Sequence, residues 1–128
     1  MASKPVYALV GDLFFASKIV KTAEGMGVEA RAFDSADRLL QASKEKEPSV
    51  VILDCEKLEK EAFRLLQAFS LEQGLSGVPR IGYLSHVAQE LKREMREAGC
   101  EQVYAKSEFA RELENLLVRY TRGFPSRI

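Results

Sequence analysis

Two aspartates, a serine and a lysine stand out because each closes a short apolar run. Asp12 follows VYALVG, Asp54 follows SVVIL, Ser85 follows RIGYL and Lys106 follows QVYA. A carboxylate can attack a phosphoryl group and form an acyl phosphate. Two carboxylates held close together repel, and a divalent cation relieves that repulsion while neutralising developing phosphoryl charge. Hard oxygen ligands of this kind suit Mg²⁺. A lysine supplies a compact point charge for a carboxylate or a phosphoryl oxygen. Each residue also has an ordinary role: an aspartate as a helix N-cap, a lysine as surface charge, a serine as part of a loop. The phosphoryl chemistry requires that folding gather all four.

The elements around them alternate. VYALV at 6–10 is a continuous apolar run, as expected of a strand buried on both faces. Phe15, Ile19 and Ala23 then recur at helical spacing, with Val20 and Met26 beside them, and Gly25 and Gly27 supply a stop. Val28, Ala30 and Ala32 alternate with Glu29 and Arg31, which predicts an edge strand. Asp34 or Ser35 can cap a second helix that buries Leu39, Leu40 and Ala42. Ser49–Leu53 is the strongest strand, β-branched and wholly apolar. Leu58, Phe63, Leu65, Leu66 and Phe69 mark a third helix. A fourth strand is expected over Arg80–Leu84, a fourth helix carries Leu91, Met95 and Ala98 on one face, and Gly99 closes it. Gln102–Ala105 predicts a fifth strand. Ser107 is expected to cap a last helix with Phe109, Leu113, Leu116, Leu117 and Tyr120 inside.

Five strands alternating with five helices imply an α/β fold, a parallel sheet covered by helices on both faces. Ligand sites in such sheets lie beyond the carboxyl ends of the strands. The four residues all fall there.

Composition limits the alternatives. The 128 residues are 46% hydrophobic and 30% charged, within reach of one globular core. No apolar run approaches the roughly 20 residues of a membrane span, and MASKPVYALV does not read as a secretory signal. Lys+Arg and Asp+Glu are equal at 19 each, so no overall positive field recruits nucleic acid. Cys55 and Cys100 form no metal-ligand pattern, and a reduced cytoplasmic setting is expected. Cys55 reads as a small buried hydrophobe. A flavin- or nucleotide-binding reading finds no glycine-rich phosphate loop in VGDLFF.

In order and spacing, Asp12, Asp54, Ser85 and Lys106 resemble the receiver domain of two-component response regulators over nearly the whole chain. The contexts LVGDLFFASKIV, VVILDCE, IGYLSHV and VYAKSEF carry the resemblance. It implies a flavodoxin-like (βα)5 topology with strand order 2-1-3-4-5 and a receiver-like domain over residues 1–121, with 122–128 as a tail. It implies Asp54 as phosphoacceptor, and Mg²⁺ held by Asp12, Asp54 and the backbone carbonyl of Glu56. Lys106 would pair with Asp54 or a phosphoryl oxygen, and Ser85 would donate to another. A signalling module rather than an enzyme follows. Its partners would be a histidine kinase or phosphotransfer protein, and a downstream protein met through the fourth helix, fifth strand and fifth helix. The tail is too short for an output domain, so a stand-alone module is expected, with no nucleic-acid or membrane partner.

Several positions depart from the family pattern. Gly11 replaces an acid, which should weaken Mg²⁺ binding. Ser107 replaces the proline after the lysine, Val103 replaces the aromatic of the fifth strand, and His86 replaces a small residue after the hydroxyl. They favour an alternative, a pseudo-receiver that binds a partner irrespective of phosphate.

Overall fold

A computed structural model describes residues 4–85 and 87–122. His86 and positions 123–128 of the tail lie outside the described residues. The chain alternates β1 (Val6–Leu9), α1 (Leu13–Gly25), β2 (Ala30–Phe33), α2 (Ala36–Glu45), β3 (Val50–Asp54), α3 (Glu59–Leu71), β4 (Arg80–Leu84), α4 (Gln89–Ala98) and β5 (Gln102–Ala105). Two helical segments close it, α5 (Lys106–Arg111) and α6 (Leu113–Thr121). All strand pairings are parallel, in the order β2-β1-β3-β4-β5. That is the expected fold class and strand order.

Strand periodicity divides the core in two. Tyr7, Leu9, Val51, Leu53, Leu84 and Val103 face one way, against Leu39, Leu65, Leu66, Phe69 and Met95 of α2, α3 and α4. Val6, Ala8, Val50, Ile52, Ile81 and Tyr83 face the other way, against Phe15, Ile19, Phe109, Leu113 and Leu116 of α1, α5 and α6. Successive strand residues point to opposite faces, so each sheet face needs its own apolar set. The central strand β3 is buried at all five positions, while edge strand β2 alternates less cleanly, with Ala30 and Phe33 buried and Arg31 and Ala32 exposed.

Local signals explain the helix ends. Ser35, not Asp34, caps α2 by accepting from the Arg38 amide. Gly99 follows α4 at φ 131°, a conformation that penalises any side chain. The expected cap at Ser107 is not formed: α5 begins at Lys106 after Ala105, with no side-chain cap. The last helix is also split at Glu112, although its amide still donates to Glu108 and its carbonyl still accepts from Leu116. The bend is therefore a local relaxation rather than a new connection.

Gly82 has a packing reason. A Cβ there would meet the Cys55 sulfur at 2.4 Å, with the Leu53 carbonyl at 3.3 Å and the Cys100 sulfur at 3.5 Å. Both thiols are buried and free, filling the hollow that the missing side chain leaves. Cys55 is the small buried residue that the sequence suggested.

Candidate functional site

Asp12 ends β1 and starts α1. Its Oδ1 accepts from the Phe14 amide at 2.9 Å and the Phe15 amide at 3.4 Å, so it is the N-cap of α1. Its Oδ2 lies 3.5 Å from the Lys106 ammonium, which comes from the far side of the sheet at the end of β5. Burial pushes the Asp12 carboxyl upward, but the Phe15 and Phe14 amides and Lys106 outweigh it and hold the pKa below its usual value. Lys106 also sits 5.0 Å over the Phe15 ring, a cation–π contact that fixes the head of a flexible side chain.

Asp54 is the last residue of β3 and only 3% exposed. By the strand alternation it shares the face of Val50 and Ile52, toward α1 and α5. Its Oδ1 accepts from the Lys57 amide at 3.0 Å, and its carbonyl accepts from Leu58 as the chain turns toward α3. A buried carboxylate at the carboxyl end of a central strand is a costly placement unless hydrogen-bonded or functional.

Ser85 is turned to a different partner from the one expected. Its amide donates to Glu56 Oε1 at 2.8 Å and its hydroxyl to Oε2 at 3.1 Å. The Glu56 side chain thus ties the β3–α3 turn to the end of β4. Sequence reasoning had assigned Glu56 only a backbone carbonyl.

Two further residues were missed. Phe15 supports Lys106, as described. Tyr83 pairs in register with Asp54, is 1% exposed, and its hydroxyl has no well-formed hydrogen bond among the described residues. Burial pushes this phenol up, and the nearby carboxylates of Asp54 and Asp12 push it the same way. The signal was available: a ring with a hydroxyl, two residues after Ile81 in a strand, must share its face.

Among the described residues no group of three or more His, Cys, Asp or Glu side chains is placed to hold a metal. Mg²⁺, however, keeps several waters and is commonly held by only one or two carboxylates, and Asp12 and Asp54 are carboxylates of that kind at the ends of adjacent strands. A Cβ added at Gly11 would meet Leu58 and Lys57 at 3.4–3.5 Å, which is ordinary van der Waals contact.

No family model matches the sequence, and no characterised protein matches it at the level of sequence. Solved structures match the fold well. A response regulator from Hahella chejuensis superposes with a TM-score of 0.80 at 15% identity, over 92% of this chain and 95% of that one. The fold is that of a receiver domain. The receiver domain of sensor histidine kinase PA1611 from Pseudomonas aeruginosa PAO1, described with magnesium coordinated in its active-site cleft, gives 0.78 at 16% identity over 93% and 98%. The chemotaxis response regulator CheY4 of Vibrio cholerae gives 0.78 at 17% over 91% and 98%. In this receiver fold, Asp12, Asp54, Ser85 and Lys106 all stand at the carboxyl ends of their strands. Among the described residues no helix is long and apolar enough to cross a membrane.

Proposed function

We propose that this chain is a receiver-like signalling module whose Asp54 accepts a phosphoryl group. The observation that carries the reading is the meeting of Lys106 with Asp12 beside the buried Asp54 carboxylate. Asp54 Oδ would attack phosphorus as the bond to the donor's leaving group breaks, forming an acyl phosphate. Lys106 would shift its charge toward the incoming phosphoryl oxygens, and Ser85 would donate to another once released from Glu56. Asp12, Asp54 and the Glu56 carbonyl would hold Mg²⁺, which when bound neutralises phosphoryl charge. A histidine kinase or phosphotransfer protein would be the donor. A downstream protein would read the state at the face of α4, β5 and α5, in a cytoplasmic two-component phosphorelay.

A second reading is a pseudo-receiver that binds its partner regardless of phosphate. The Glu56–Ser85 clamp favours it, because it occupies the hydroxyl that a phosphoryl group would need, as does Gly11 in place of an acid. Incubation with Mg²⁺ and acetyl phosphate separates the two readings. Intact-mass measurement should show one added phosphoryl group in the wild type and none in Asp54→Asn. No mass gain, with no affinity for beryllofluoride, leaves the pseudo-receiver.

A further inference from the structure

One buried polar group beside Asp54 is used by no part of the proposed chemistry. Tyr83 lies in register with Asp54 on the adjacent strand and on the same face of the sheet. Its ring is held by Phe15 at 4.8 Å, edge-on, and by Phe109 at 5.2 Å, stacked. The ring is 1% exposed, and its hydroxyl is shielded from water. The hydroxyl is nevertheless left without a well-formed hydrogen bond. An orphaned buried donor is costly, and the residue beside it on the next strand, in register and on the same face, is Asp54.

We propose that Tyr83 is a hydrogen-bond donor to the Asp54 carboxylate that shortens the life of the acyl phosphate, an inference that rests on Asp54 being the phosphoacceptor. In hydrolysis, a water oxygen bonds to phosphorus while the P–Oδ bond breaks. The electron pair returns to Asp54 as carboxylate, and the water's proton leaves with phosphate or solvent. Tyr83 keeps its own proton throughout. A fixed O–H stabilises the negative carboxylate more than the neutral acyl group, because hydrogen bonds to charged acceptors are the stronger ones. The donor therefore favours the departing carboxylate, to which the otherwise unpartnered hydroxyl donates as the P–Oδ bond breaks.

The test is the decay of phosphorylated protein after removal of acetyl phosphate, followed by intact mass in wild type and Tyr83→Phe. Losing one charge-assisted hydrogen bond from the transition state should lengthen the half-life about tenfold. Thermal stability should be equal or higher, since the unpaired hydroxyl is gone. Tyr83→Met removes the same donor with an apolar side chain and should lengthen the half-life likewise if the phenylalanine variant folds poorly. Equal or faster decay in the variants overturns the role of Tyr83 and leaves Asp54 untouched. Absence of any uptake by the wild type overturns the Asp54 reading and this inference with it.

Discussion

Lys106 Nζ reaches Asp12 Oδ2 at 3.5 Å across the ends of two intervening strands, and the strand order sets Asp54 between them. The Lys106 and Asp12 side chains are 43% and 29% exposed, so their ion pair is screened by solvent and contributes little to stability. Its larger effect would fall on charge that develops during phosphoryl transfer. Lys106→Ala should slow phosphoryl uptake from acetyl phosphate by about 100-fold, the usual scale for one preorganised donor. The melting temperature should hardly move. Rate by intact mass and stability by calorimetry check the two halves separately.

Glu56 competes for Ser85. Its two oxygens take both the amide and the hydroxyl of that residue, and its carboxylate adds negative charge where a phosphoryl group would arrive. Glu56→Ala should free the hydroxyl and raise uptake about two- to fivefold, the effect of an exposed charged contact. Lower uptake would show that the clamp shapes the site rather than restraining it.

Gly82 should not tolerate a methyl group. At 2.4 Å from a buried sulfur, the added carbon forces a shift in a packed core, which costs about 1–3 kcal/mol. Removing that sulfur should relieve the clash. The double variant Gly82→Ala, Cys55→Ala should be less destabilised than the sum of the two single variants, as measured by urea denaturation.

Alkaline pH should weaken the fold through its tyrosines. Burial is the first cause of a raised pKa at Tyr7, Tyr83, Tyr104 and Tyr120, which are all four tyrosines of the chain. A folded phenol with a raised pKa keeps a proton that the unfolded phenol loses. Its contribution is therefore full below the unfolded value of 10.0 and falls as pH rises above it. Tyrosinate absorbance should appear together with loss of helical circular dichroism. Ionisation of all four phenols with the fold intact would contradict the burial argument.

The sheet was legible because its signals are local and agree. Arg80–Leu84 and Gln102–Ala105 have the expected bounds, and β3 runs one residue later than SVVIL. Apolar runs bounded by Gly, Pro or charge leave little freedom for parallel strands. The positions of Asp12, Asp54, Ser85 and Lys106 followed from the same rule, since a parallel sheet puts all strand ends on one side. What escaped was the choice of partner. Ser85 turns to the Glu56 side chain, and Lys106 is seated on Phe15 and Asp12, because loop geometry decides among acceptors a few ångströms apart. Tyr83 was within reach of period-two reasoning, yet it reads as a core aromatic until its unpaired hydroxyl is seen beside Asp54.

The most direct test of the account locates the modified residue. Protein treated with Mg²⁺ and acetyl phosphate is reduced with borohydride, which converts an aspartyl phosphate to homoserine, and is then mapped by peptide mass spectrometry. Homoserine at position 54, and at no other aspartate, is the predicted result. Homoserine at position 12, or none anywhere in the chain, would contradict the assignment of Asp54 as the phosphoryl acceptor.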